Sequence, residues 1–79
     1  MRILNEDNDK KIDCVSIFLT RDEAIQMIGF LKDLMNNPKN HHAHLSSGDY
    51  QKEITLCLYD LQDIESFHPR AKKLILKDE

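Results

Sequence analysis

The chain has 79 residues, of which 41% are apolar and 32% are charged, so it has enough apolar residues for one modest core and is not a disordered sequence. Its formal net charge of −3, from 11 basic and 14 acidic side chains, argues against a nucleic-acid partner, because nucleic-acid modules usually carry a basic stripe. No apolar run approaches the ~18 residues of a membrane span, and no apolar signal segment begins the chain. We therefore expect one cytoplasmic domain, residues 1–79, with no membrane partner.

The first 19 residues predict two strands. Arg2, Ile3 and Leu4 suit a short first strand, and the polar segment from Asn5 to Lys11 follows as a loop. The segment from Ile12 to Leu19 is rich in β-branched and apolar residues, which favour an extended strand.

A long helix is predicted next. Thr20 followed three residues later by Glu23 is the pattern of a capping box, in which each side chain bonds the other residue's backbone N–H. Apolar residues then recur at spacings of three and four, which predicts one apolar helix stripe. The stripe consists of Ala24, Met27, Ile28, Leu31, Leu34 and Met35, and Ile25 and Phe30 widen it. Asn36, Asn37 and Pro38 end the helix, since proline disfavours helical geometry in the residue before it.

The third section predicts a β-hairpin from His41 to Tyr59. Ser46, Ser47, Gly48 and Asp49 have the chemistry of a turn, in which glycine allows a positive φ. The segment from His41 to Leu45 leads into this turn, and the apolar segment from Glu53 to Tyr59 leads out of it as a strand.

The last section is ambiguous. Asp60 is placed to cap a short helix carrying Leu61, Ile64 and Phe67. The segment from Lys72 to Lys77 suits either a final strand or a helix, and we favour a strand because Leu74 and Leu76 would share one face. The predicted fold class is α+β, in the order β-β-α-β-β, short helix, then a possible last strand. We expect a single antiparallel, possibly mixed, sheet of four to five strands with one long amphipathic helix packed on one face.

The two faces of this predicted sheet differ in composition. Purely aliphatic sets belong against the helix, which covers only one side of the sheet. These sets are Val15, Ile17 and Leu19 from the first strand, and Ile54, Leu56 and Leu58 from the last hairpin strand. The uncovered face would carry Cys14, Phe18, Thr55, Cys57 and Tyr59, joined by His42 and His44 if Ala43 and Leu45 point inward. Such a face is typical of an interaction surface, unless the segment from Leu61 to Phe67 folds back over it.

This uncovered face suggests a non-catalytic protein-interaction or regulatory module, of the inhibitor or immunity type found among small bacterial and phage-type proteins. We expect its partner to be a second copy of the chain or another protein, anchored by Phe18 and Tyr59 because aromatic side chains dominate interface energies. The predicted partner-binding residues are Phe18, Tyr59, Cys57, Cys14 and Thr55. Catalysis is not expected, because no glycine-rich turn or helix start follows either cysteine to form an oxyanion hole.

Two alternatives remain open. His42 and His44 share one side of a strand, a spacing used in metal sites. Cys57 is placed to add a third ligand across the hairpin, and Asp49 and Glu53 are candidates nearer in sequence. Solvated histidines leading into a hairpin are the simpler interpretation, so no cofactor is required and a transition metal is the alternative. The second alternative is a small-molecule sensor that uses a cavity between helix and sheet.

Overall fold

The computed structural model describes residues 1–37, 39 and 42–79. Within these residues the elements run in the order β1 (Leu4–Asn5), β2 (Lys10–Lys11), α1 (Arg21–Asn36), β3 (His42–Ser46), β4 (Glu53–Cys57) and α2 (Pro69–Lys77). Helices and antiparallel strands are both present, so the α+β class is confirmed. The elements form two compact units, a terminal unit (Met1–Ile17 with Asp60–Glu79) and a central unit (Phe18–Tyr59).

The strands do not form the single sheet of four to five strands that the sequence predicts. In the described residues β1 pairs only with β2, and β3 pairs only with β4, each in an antiparallel two-stranded sheet. The physical reason lies in the segment of residues 12–19, which forms no strand. One hydrogen bond of this segment, from the Ile12 N–H to the Ile3 carbonyl at 2.9 Å, continues the β1–β2 ladder. Alternating apolar residues become a strand only where a neighbouring strand accepts their backbone bonds.

In the central unit, α1 begins and ends as predicted. The Thr20 hydroxyl accepts from the Glu23 N–H, and the Glu23 carboxylate accepts from the Thr20 N–H, so the predicted capping box is confirmed. Asp22 and Glu23 lie in the first turn, where the helix dipole favours acidic groups. The helix ends at Asn36. The predicted role of Pro38 lies outside the described residues.

The β3–β4 hairpin is also confirmed, and its register sorts the side chains as predicted. Ala43 and Leu45 lie opposite Leu56 and Ile54, so these four residues share one face. This face is the buried one, since Leu45 is only 3% exposed and α1 contacts β3. The predicted start of the hairpin at His41 lies outside the described residues.

The hairpin turn has an unexpected left-handed residue. Gly48 has no positive φ, whereas Tyr50 has a φ of 59°. The Tyr50 N–H donates to the Ser47 carbonyl at 2.9 Å, which fixes this conformation within the turn. The sequence therefore predicted the position of the turn correctly but assigned its positive φ to the wrong residue.

In the terminal unit, the last segment is a helix and not the strand that we favoured. Pro69 occupies the first turn of α2, where its fixed φ suits a helix and its missing N–H costs nothing. The His68 ring accepts from the Arg70 N–H, and Asp78, in the left-handed region, ends the helix through a bond to the Leu74 carbonyl. These caps favour a helix over a strand. Burial agrees with them, since Leu74 and Ile75 are both buried. Two adjacent residues can both be buried in a helix, whereas in a strand with one buried face they point to opposite sides.

The predicted short helix over Leu61, Ile64 and Phe67 is replaced by two turns. The Asp63 N–H donates to the Asp60 carbonyl and the Phe67 N–H donates to the Ile64 carbonyl, each closing one turn without continuing it. Ile64 is buried in the terminal unit, as are Leu74 and Ile75. In the central unit the buried apolar residues of the described chain are Leu34 and Leu45.

Candidate interaction surface

The helix α1 is apolar on two sides, and only one of them is covered. Leu34 is 3% exposed and Phe30 is half-buried, which identifies the covered side. On the outer side Ile25, Ile28, Leu31 and Met35 are each between 44% and 63% exposed. Their spacings of three and four residues align them along the helix, so they form a continuous apolar stripe that we call the outer stripe.

Phe18, one of the predicted partner-binding residues, is almost fully exposed. It lies three residues before the start of α1 and is 93% exposed. Leu19, its neighbour, is also exposed. A phenylalanine exposed to water lacks the large stabilisation that burial of its ring would give. The outer stripe begins seven residues after Phe18 in the sequence, at Ile25.

The outer face of the β3–β4 hairpin gathers part of the predicted site. His42 lies opposite Cys57 and His44 lies opposite Thr55, so these four side chains share the face away from Leu45. His42, His44 and Cys57 are exposed, and Thr55 is half-buried. The predicted common face is thus confirmed for Thr55 and Cys57 with the two histidines.

The other predicted residues do not join this face. Cys14 is exposed in the terminal unit and Phe18 precedes α1, and neither residue lies in a strand. Tyr59 is half-buried and follows β4 after the strand has ended. Whether these residues bind a partner stays a prediction, but in the part of the chain that the structure describes, no single sheet face unites all five. Sequence reasoning instead missed the outer stripe, because it assigned every apolar residue of α1 to the covered side.

The two histidines are held close together. Their ring centroids are 5.1 Å apart in an edge-on arrangement. Nδ1 of His44 lies 2.9 Å from the Thr55 hydroxyl and 3.3 Å from a carboxylate oxygen of Glu53, which orients the ring. Among the described residues, no group of three His, Cys, Asp or Glu side chains is arranged to hold a metal ion.

A groove of about 440 Å³ lies in the central unit between the start of α1 and the hairpin turn. Its lining is mainly polar, and it consists of Thr20, Asp22, Glu23, Gln26, His44, Ser46, Ser47, Gly48 and Tyr50. Several of these groups already bond one another, as Thr20 and Glu23 do in the capping box. Thr20 and Glu23 therefore already have hydrogen-bond partners within the fold, and binding of a small molecule in this groove stays a prediction.

Two charged groups outside this groove have shifted pKa values. The Ser47 hydroxyl and the Gln51 N–H both donate to Asp49, which lowers the pKa of that carboxyl. A hydrogen bond and the charge of Asp13 raise the pKa of Lys11. Both groups are exposed and both shifts arise from local bonds, so neither marks a reactive centre.

Comparison with known proteins adds no family to this description. The chain matches no family model, and neither a curated protein nor a solved structure resembles it significantly. Neither described helix is long and apolar enough to cross a membrane.

Proposed function

We propose that the chain is a non-catalytic, cytoplasmic protein-binding module, of the inhibitor, immunity or regulator type, which docks through the outer stripe of α1 and Phe18. The observation that carries this proposal is the exposure of four large apolar side chains along one helix, with Phe18 almost fully exposed before it. Contiguous apolar surface of this kind marks interaction sites on small proteins. We therefore place the docking surface on the helix α1. The sequence had predicted it on the sheet face, which carries imidazole, hydroxyl and thiol groups.

The size of this surface suits a protein partner. Burial of one aliphatic side chain removes roughly 100 Å² of apolar surface from water, at ~25 cal/mol per Å². The four residues of the outer stripe are about half-exposed, so together they leave roughly 200 Å² of apolar surface for a partner to cover. Phe18 adds about 200 Å². Since apolar atoms make up roughly 60% of an interface, the corresponding interface covers roughly 650 Å² on each partner, or ~1,300 Å² in total. That total lies within the range of specific complexes, ~1,200–2,000 Å².

The test is photo-cross-linking in the cells that naturally produce the chain. A photoreactive phenylalanine analogue at position 28 should give one discrete adduct of higher mass, whereas the same analogue at Gln26, outside the outer stripe, should give none. A second substitution, Met35→Glu, should abolish the adduct formed at position 28, because it places a charge in the same stripe. Equal labelling from both positions, or an adduct that survives Met35→Glu, would overturn the proposal.

A further inference from the structure

We infer that His42 and His44 form an open binding site for a transition-metal ion, with Cu²⁺ as the preferred ion. Both residues lie in β3, and the alternation of a strand puts them together on the face opposite the buried Leu45. Both are exposed, so an ion reaches them directly from solvent. This surface is separate from the outer stripe, so the inference goes beyond the proposed function and does not depend on it.

The distance between the two imidazole rings suits one shared ion. Their centroids are 5.1 Å apart. Metal–nitrogen bonds of about 2.0 Å place each ring centre about 3.1 Å from the ion. Two ring centres are then about 4.4 Å apart at the right angle of a tetragonal site and about 5.1 Å apart at a tetrahedral angle. Both rings therefore reach one ion with adjustment of the side chains alone.

The surroundings of His44 leave one of its nitrogens for a metal ion. Nδ1 lies 2.9 Å from the Thr55 hydroxyl and 3.3 Å from a carboxylate oxygen of Glu53, and both oxygens can accept from an Nδ1–H. In that tautomer the lone pair is on Nε2, the nitrogen that neither contact uses. Histidines that bind metals usually donate their other ring N–H to such an acceptor, which fixes the ring and makes it a stronger ligand.

The hairpin holds the two ligands and their neighbours in a fixed register. His44 lies opposite Thr55, and His42 lies opposite Cys57, within one antiparallel ladder. Glu53 is two residues before Thr55 in β4 and shares its face. Its negative charge attracts a cation to this face of the hairpin. Backbone hydrogen bonds therefore position these groups before any ion binds, which favours binding because less order has to be created.

The ligand atoms decide between the metal ions. Imidazole suits Cu²⁺, Ni²⁺ and Zn²⁺, whereas Mg²⁺ and Ca²⁺ prefer oxygen ligands. The site has two protein ligands, since no group of three is arranged for a metal among the described residues. Affinity then follows the intrinsic order of the ions, in which Cu²⁺ exceeds both Ni²⁺ and Zn²⁺. We expect Cu²⁺ to bind at least ~10-fold more tightly than Zn²⁺, with its other positions open to water.

The first experiment titrates the full chain with Cu²⁺ and, separately, with Zn²⁺ by calorimetry. The chain carries Cys14→Ser and Cys57→Ser, because both thiols are exposed and thiols reduce Cu²⁺. We expect one Cu²⁺ per chain, and electron paramagnetic resonance should show hyperfine coupling to two imidazole nitrogens. Equal affinities for Cu²⁺ and Zn²⁺, or coupling to fewer than two imidazoles, would overturn the inference.

Histidine variants in the same background assign the ligands. His42→Gln and His44→Gln should each lower the Cu²⁺ affinity at least ~10-fold and leave one imidazole in the spectrum. His68→Gln is the matched control, since His68 lies in the terminal unit, and it should leave both readouts unchanged. Circular dichroism shows whether each variant keeps its fold. An equal loss of affinity in all three variants would show unspecific binding and overturn the site.

A second pair of variants tests the carboxylate beside His44. Glu53→Gln keeps an oxygen acceptor near Nδ1 and removes the negative charge, so it should weaken Cu²⁺ binding about 10-fold. Glu6→Gln changes the net charge equally in the terminal unit and should have no effect. Equal weakening by both variants would mean that the total charge of the chain attracts the ion, and would overturn this arrangement of Glu53 and His44.

The inference and the proposed function fail separately. Met35→Glu should leave the Cu²⁺ affinity unchanged, and His44→Gln should leave the position-28 adduct unchanged, because the two surfaces do not share residues. A chain that binds Cu²⁺ through both histidines but gives no position-28 adduct overturns the proposed function alone. A chain that gives the adduct, yet binds Cu²⁺ no more tightly than its His44→Gln variant, overturns the metal site alone.

Discussion

Arg70 and Asp9, which are 61 positions apart in the sequence, are joined by two hydrogen bonds in the terminal unit. Nε of Arg70 donates to the Asp9 carboxylate at 2.9 Å, and a second guanidinium N–H donates to the Asp9 carbonyl at 3.1 Å. A third N–H of the same group donates to the Glu79 carbonyl at 2.7 Å. Asp9 has a φ of 58°, so the guanidinium holds a left-handed loop residue and the chain end to α2.

We expect Arg70→Ala to lower the free energy of unfolding by about 1 kcal/mol, since it removes charge-assisted bonds whose partner Asp9 is largely exposed. Arg70→Lys should lose most of the same stability, because an ammonium cannot reproduce three divergent N–H bonds. Lys73→Ala, an exposed position on the same helix, is the matched control and should change little. Urea unfolding measures all three, and equal effects of Arg70→Ala and Lys73→Ala would contradict the prediction.

The helix α1 and the β3–β4 hairpin could be predicted because their signals are local. A capping box at Thr20 and Glu23, a helical repeat and a turn around Gly48 need no distant partner to form. The two segments that were predicted wrongly, residues 12–19 and 72–77, have apolar spacings that fit more than one structure. Among the described residues no strand pairs with residues 12–19, whereas the caps at His68 and Asp78 decide the structure of the second segment.

The candidate surface was predictable only in part, for a related reason. Hairpin register follows from alternation, so the shared face of His42, His44, Thr55 and Cys57 could be derived from the sequence. The exposure of Ile28 could not be derived from the sequence. The apolar arc of α1 is wider than one face of the helix, and its pattern does not indicate which part a two-stranded sheet will cover.

A second prediction concerns the left-handed Tyr50 in the hairpin turn. A positive φ is costly for a residue with a bulky side chain, and Tyr50 is 86% exposed, so its ring contributes little packing in return. Asparagine tolerates this region through local hydrogen bonds, so we expect Tyr50→Asn to raise the free energy of unfolding by about 0.5–1 kcal/mol.

The control for Tyr50→Asn is Gly48→Ala in the same turn. Gly48 has no positive φ, and a Cβ added there meets nothing within 4 Å. Alanine should therefore stabilise the chain by about 0.4–1 kcal/mol through the unfolded state. Destabilisation of the hairpin by Gly48→Ala, together with no effect of Tyr50→Asn in thermal unfolding, would contradict the prediction.

The last prediction concerns metal binding by His42 and His44. Their rings are 5.1 Å apart on one exposed face. The contacts of His44 with Thr55 and Glu53 engage Nδ1, so Nε2 is the nitrogen of that ring that neither contact uses. Two protein ligands leave two positions of a tetrahedral zinc ion to water, so we expect Zn²⁺ to bind weakly. Binding of this kind raises the unfolding temperature little at equimolar metal, in contrast to a structural zinc site.

Thermal unfolding with one equivalent of ZnCl₂ and then with excess chelator measures this effect. Any small zinc-dependent rise should disappear in both His42→Ala and His44→Ala. It should persist in His68→Gln, since His68 belongs to the cap of α2 and lies in the other unit. A large rise that chelator reverses, together with one zinc ion per chain by elemental analysis, would contradict this prediction and favour a metal-dependent function over the docking of α1.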